Sequence, residues 1–266
     1  LSSGTFTAPS GSATFASNVT ITGGTFNHNS GTVTFDGTSS GTLNCNNITF
    51  NAVYFAHTSN TKTVNSNCNL PLGNNPSLGS GSALVTVNGT LVGSGTLTTV
   101  ATFTLNSGAI LSGFSSLNAV SITIAGATMD FSGYSSYSTS TTTTVSSGSL
   151  TLPAGGDLSA LTISGGTFTA PSGNLFISGA LTISGSPTFN HNSGTVTFDG
   201  GSNVTLNCNN VSFNSVILAH TAGTKTISSN CTFPLGNNPT SGTGSGGSLN
   251  LSGTLTGSGL FTMNGS

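Results

Sequence analysis

Charge is what this chain has least of. Its 266 residues include two Lys (Lys62 and Lys225) and four Asp (Asp36, Asp130, Asp157 and Asp199), with no Arg, Glu or Trp, for a net charge of -2. Two lysines cannot neutralise a run of phosphates, so a nucleic-acid partner is excluded, and a polybasic membrane patch fails on the same count. Glycosidases and uronate lyases need carboxylates clustered in one groove, or carboxylates with basic side chains and Ca²⁺, and four scattered Asp do not supply such a cluster. A Ser-His-Asp triad can be drawn among 45 Ser, but no GxSxG elbow is present. The expectation is therefore no enzyme, no catalytic residue and no cofactor. Apolar runs long enough for a membrane span, roughly 20 residues, are missing too. A starting Met and a basic leading segment are absent, which reads as a processed or excised segment.

What fills the chain instead is 46 Thr, 45 Ser, 38 Gly and 29 Asn, with 34% apolar residues. Low charge combined with that apolar share argues against intrinsic disorder. Self-similarity is pronounced. FNHNSGTVTFDG at 26–37 returns unchanged at 189–200, TLNCNN at 42–47 returns at 205–210, and PLGNNP at 71–76 returns at 234–239. The duplicated segment spans 1–103 and 166–266, and 104–165 is a spacer of like composition without a matching copy. Small changes of offset between the copies place single-residue insertions in turns, since a one-residue slip inside a strand would turn every side chain to the wrong face.

Within the segment the period is two. Thr5-Phe6-Thr7, Thr20-Ile21-Thr22, Thr32-Val33-Thr34-Phe35 and Ser121-Ile122-Thr123-Ile124 alternate polar and apolar residues, as half-buried strands do. Ser-Gly, Asp-Gly, Asn-Gly and Asn-Asn between them supply the positive φ of tight turns. No window carries a helical period, and Gly, Thr, Ser and Asn are poor helix formers. A sandwich of this length would be unusually large, whereas a solenoid grows by adding coils. The expected fold is all-β: 1–266 as a single continuous parallel β-solenoid of about a dozen coils, at roughly 20 to 24 residues each, with essentially no helix. Phe6, Phe15, Val33, Phe35, Leu43 and Phe50 are expected inward, with Phe168, Phe198, Leu206 and Phe213 in the second copy. Outward Thr rows are expected at Thr5/Thr7, Thr32/Thr34, Thr167/Thr169 and Thr195/Thr197.

The stretches SGTVTFDG, TLNCNNITFNAVYFAHT, TKTVNSNCNLPLGN and LVTVNGTLVGSGTLTT resemble the repeats of large bacterial secreted surface proteins of the parallel β-helix kind, as in adhesins like filamentous haemagglutinin. The resemblance covers both copies. It implies adhesion, cell-surface scaffolding or filaments, and it brings no catalytic residues to transfer.

Cys45 and Cys68, like Cys208 and Cys231, are one expected coil apart, and neighbouring coils near 4.8 Å lie within disulfide reach. Strand parity turns all four sulfurs inward. The reading is two disulfides in an oxidising setting, with buried free thiols as the bland alternative; no metal is assigned, because no CxxC or HxxxH pair occurs. Lys62 shares parity with Val64, so its amine is either inward, facing Asp36 or a ring of amide oxygens, or outward beside an ordinary Asp-Gly turn. Asp199 and Lys225 repeat the pair, and an isopeptide bond is a remoter option. His28, His57, His191 and His220 read as hydrogen-bonded turn residues. Sequons such as Asn18-Val-Thr, Asn47-Ile-Thr and Asn88-Gly-Thr are expected by chance in so much Asn and Thr, and matter only in a host that glycosylates.

Functionally, the sequence points to a structural protein of the extracellular space or cell surface, forming a filament, sheath or adhesin stalk. Both end segments resemble interior coils: SGTFTAPSG at 3–11 matches 165–173, and SGTLTGSGLFT at 252–262 resembles 88–98. The expected partner is therefore the chain itself, head to tail or within a longer parent chain. Binding of surface glycans is the alternative, and ice binding through the Thr rows a more distant one.

Overall fold

The structure, a computed structural model, describes residues 1–237, 239–242 and 246–263. It is all-β and parallel, with strands stacked as a β-solenoid of about 12 coils, and among the described residues there is no helix. The chain divides into two compact units, Leu1–Thr128 and Met129–Ser266. Each holds one copy of the duplicated segment, and the spacer 104–165 is shared out between them. Asn238, in the second PLGNNP motif, lies outside the described residues.

In Leu1–Thr128 the strands form columns. Ser12–Phe15, Thr32–Phe35 and Ala52–Phe55 run parallel in one, with Val33 beside Ala13 on one side and Val53 on the other. Gly41–Asn44, Thr61–Val64 and Leu84–Val87 make a second, and Thr5–Thr7 and Thr25–Asn27 belong to a third. Each residue's partner lies about twenty positions further on, so every coil places like upon like. Phe35 stacks between Phe15 and Phe55, with ring centroids 6.3 and 5.5 Å away. This repetition is why alternation suffices to specify the fold: the inward residue of one strand is covered by the inward residues of its two neighbours.

Met129–Ser266 repeats the plan. Asn174–Ile177, Thr195–Phe198 and Ser215–Leu218 pair in one column, Leu161–Ile163, Leu181–Ile183 and Val204–Asn207 in another, and Thr167–Thr169 pairs with Thr188–Asn190 in the third. Turn chemistry recurs at matching positions. Asn29, Ser30, Asn46 and Asn47 adopt positive φ in the first unit, as do Asn192, Ser193, Asn209 and Asn210 in the second. A Cβ on Gly194 would lie 2.0 Å from the Pro171 carbonyl oxygen, so glycine there is what lets successive coils close up.

Val33, Phe35, Leu43, Phe50, Phe168, Phe198, Leu206 and Phe213 are buried as the alternation requires. Phe6 and Phe15 are not. Phe6 is 41% exposed and Phe15 half-buried, because each has a partner coil on one side only, through Phe26 and Phe35 respectively. Phe168, the counterpart of Phe6, lies between Leu150 and Phe189 and is 0% exposed. One covering strand makes the difference.

The outward Thr rows are short. Thr32 and Thr34 are followed on the next coil by Ala52 and Tyr54, and Thr169 is followed by Asn190. Thr197 is buried, screened by Phe176 and Ile217 of the flanking coils.

Candidate functional site

The residue types with most chemical potential in this chain are turned into the core, and they occupy the same places in both units. Cys45 is joined to Cys68 and Cys208 to Cys231, with Cα separations of 5.0 and 4.9 Å, each pair binding one coil to the next. Beside each bridge runs a small amide ladder. The Cys45 N–H donates to Asn67 Oδ1 at 3.1 Å, and Asn67 Nδ2 donates to Asn44 Oδ1 at 2.6 Å; Cys208, Asn230 and Asn207 repeat the arrangement at 3.1 and 2.6 Å. Asn67 and Asn230 thereby each satisfy a main-chain donor that a turn would otherwise leave unpaired.

The two lysines point inward and are fully buried. Lys62 Nζ donates to the main-chain oxygens of Ala16 at 2.7 Å and Ser39 at 3.0 Å, and Lys225 Nζ to those of Gly200 at 2.8 Å and Ser202 at 3.0 Å. Of the two inward arrangements, the amide-oxygen cradle is the one present. Asp36 and Asp199 stand near enough to act electrostatically, but each has a buried Oδ1 with no hydrogen-bond partner. Burial pushes both ammonium groups below the ordinary lysine range, and the nearby carboxylate opposes that shift. Burial likewise raises the carboxyl of Asp199, with Asp157 adding to the rise and Lys225 opposing it.

Histidines fall into two classes. His28 and His191 sit in the Asn-rich turns as expected, where each Nδ1 accepts from the N–H of Ser30 or Ser193 at 3.0 Å. His57 and His220 depart from that reading, because both are fully buried. The His57 Nε2 lies 3.0 Å from the Leu84 carbonyl oxygen, which assigns the proton to Nε2 and leaves the buried Nδ1 without a partner. Its ring meets Phe55 edge-on at 5.9 Å. His220 approaches the Ser248 main chain without hydrogen-bond geometry at either ring nitrogen. Desolvation pushes both imidazoles below their ordinary value, with the neighbouring lysine charge acting the same way, so both are neutral at pH 7. The sequence did carry a signal for this: Val53, Phe55 and His57 lie at alternate positions, so the imidazole continues the inward row.

Each unit thus contains a Cys pair, a Lys, a His and an Asp in consecutive coils, with the sulfurs, the amine and the imidazole spent on contacts inside the fold. Among the described residues no three His, Cys, Asp or Glu side chains converge where a metal ion would be held. At the surface, one shallow depression recurs. Asn47, Thr49, Phe50, Pro71 and Val92 line it in the first unit, with a volume of about 270 Å³, and Asn210, Ser212, Phe213, Pro234 and Thr256 in the second, with about 390 Å³. A more apolar pocket of about 200 Å³ lies on the first coil between Leu1, Phe6, Val19, Ile21 and Phe26.

Compared with known proteins, the chain matches no family model, no curated protein and no solved structure.

Proposed function

We propose that this chain is a structural protein of an oxidising, extracellular or cell-surface setting, whose coils build a filament, sheath or adhesin stalk. One observation carries the reading: the cysteines and both lysines are buried and join coil to coil, with two of the four histidines buried beside them, at matching places in two copies. Side chains used this way strengthen a solenoid and are withdrawn from any substrate. The disulfides support the compartment, since such bridges persist outside reducing cytosol. The likeness of the repeats to haemagglutinin-type adhesins points the same way.

Coil-on-coil assembly, with a second copy or with further coils of a parent chain, is supported by the first coil. A strand laid on Thr5–Thr7 as Ser149–Thr151 is laid on Thr167–Thr169 would bury Phe6 as Phe168 is buried. Main-chain hydrogen bonds and apolar cover would then come from one event. Electron microscopy and light scattering of the purified chain test this reading. Fibres or end-to-end oligomers, abolished by Phe6→Asp, are expected. A monodisperse monomer at high concentration refutes the assembly, and turnover of a polysaccharide refutes the structural assignment.

A further inference from the structure

Seven sequons occur among the described residues, at Asn18, Asn47, Asn88, Asn203, Asn210, Asn230 and Asn250. In a chain so rich in Thr and Ser most carry no information, but the structure and the duplication separate them. Four are occupied by the fold. Asn18 Oδ1 and Asn203 Oδ1 accept from the N–H groups of Thr42 and Thr224, both at 2.8 Å. Asn88 Oδ1 accepts from Asn106 Nδ2 at 2.8 Å, and Asn230 belongs to the amide ladder beside the second disulfide. At Asn230 the nitrogen that would carry the sugar already donates to Asn207, and at Asn18, Asn88 and Asn203 the amide oxygen ties the side chain to a neighbouring coil, which restricts how the amide can be presented to a transferase. Asn250 is exposed but lies within the paired strand Gly246–Leu251, opposite Thr226.

Asn47 and Asn210 are set apart by three features taken together. Both are exposed, and their side-chain amides take no part in the hydrogen bonds that hold the coils. Both sit at positive φ, 58° and 60°, in a turn that carries the side chain clear of the ladders. They are also equivalent positions of the duplication: Asn47-Ile48-Thr49 in one copy is Asn210-Val211-Ser212 in the other. The second and third residues have both changed, and the hydroxyl that the acceptor motif requires has survived as Thr in one copy and Ser in the other. No other sequon is shared. Asn18 corresponds to Ala180, Asn88 to Ser252, Asn203 to Ser40 and Asn250 to Thr86, and Asn230-Cys-Thr corresponds to Asn67-Cys-Asn.

We propose that Asn47 and Asn210 are attachment sites for N-linked glycans, one on each unit, an inference that rests on the extracellular reading given above. The Asn amide nitrogen is glycosylated by transfer of an oligosaccharide from a lipid-linked pyrophosphate donor. A C–N glycosidic bond forms, the glycosyl–phosphate bond breaks, and the lipid pyrophosphate leaves with the amide proton passing to solvent. The recurrent depression gives the first sugar a seat, with Asn47, Thr49, Phe50 and Pro71 in one unit and Asn210, Ser212, Phe213 and Pro234 in the other. The part-exposed edges of Pro71 and Pro234 there face the C–H side of a pyranose.

The test is secretion of the full chain from eukaryotic cells that N-glycosylate, followed by glycosidase release in heavy-oxygen water and peptide mapping. Label at Asn47 and Asn210 is expected. Asn47→Gln and Asn210→Gln should each lower the intact mass by one glycan, and the double variant by both. Thr49→Ala and Ser212→Ala should give the same losses with each Asn left in place. Folded, disulfide-bonded protein unmodified at both positions overturns the proposal and leaves the extracellular reading standing. So does occupancy at Asn18 or Asn230 in place of Asn47 and Asn210. Unmodified protein that also carries four alkylatable thiols takes both readings down together.

Discussion

Lys62 offers the sharpest test of the buried clasps. In Lys62→Met the chain keeps a side chain of similar reach and loses the amine. Two hydrogen bonds from a charged donor disappear, and their two carbonyl acceptors lose their partner. Against that, an ammonium no longer has to be stripped of water, a penalty of several kcal/mol in real interiors. The Ala16 and Ser39 oxygens then lie unpaired, at a cost of about 1–3 kcal/mol apiece. The balance is a net loss of about 1–3 kcal/mol. Lys62→Ala adds a cavity and should cost about 3–5 kcal/mol. Solenoids lose cooperativity along their length, so a global melting curve would dilute the effect. Hydrogen exchange at the amides of Gly41–Asn44 and Thr61–Val64 reads it locally. The pH dependence is a second signature. Because the folded amine has a lowered pKa, the unfolded state binds more protons between that value and 10.5. Wild-type stability therefore rises with pH across that window, and Lys62→Met should rise less steeply, keeping only the share that Lys225 contributes. Unchanged protection in Lys62→Ala, or an equal slope in both proteins, would show that the amine is not seated between the coils.

Other expectations follow from the same geometry. Phe168→Ala should cost about 3–5 kcal/mol and Phe6→Ala under about 1 kcal/mol in the isolated chain, since the two residues differ by one covering strand; equal losses in chemical denaturation would contradict the burial described. Intact mass without reductant should fall short of the thiol form by about 4 Da, and removing one bridge should cost about 3 kcal/mol for a loop of 23 residues. The buried neutral imidazoles contribute stability that is complete above pH 6.5, the ordinary value, and is lost as pH falls through their lowered folded values. Urea midpoints taken between pH 7 and 4 should fall for the wild type and fall less for His57→Phe/His220→Phe; superimposable curves would remove the histidines from the account.

Much of the fold is legible in the residues because a stacked coil asks for so little. Alternation in Thr32–Phe35 assigns Val33 and Phe35 to the core, and spacing places Cys45 against Cys68. Parity also turns Lys62 inward, but the choice among its acceptors could not be read, since main-chain oxygens of Ala16 and Ser39 leave no mark on side-chain sequence. His57 is obscured for the opposite reason. Its neighbours Thr58, Ser59 and Asn60 look like a turn, and that local composition masks the inward row on which it stands. Phe6 shows the limit of pattern reading: the same TFT triplet is core or surface according to what lies on the next coil.

The two disulfides also bear on how such a chain carries load. A solenoid pulled along its backbone peels by breaking one coil's hydrogen bonds at a time. When the peeling front reaches Cys45 or Cys208, tension passes through sulfur to Cys68 or Cys231, and the intervening loop bears none of it. Each loop of 23 residues holds back roughly 75 Å of contour length at full extension. The oxidised chain therefore has a shorter reach and an intact coil at each staple, and only a reductant releases the slack.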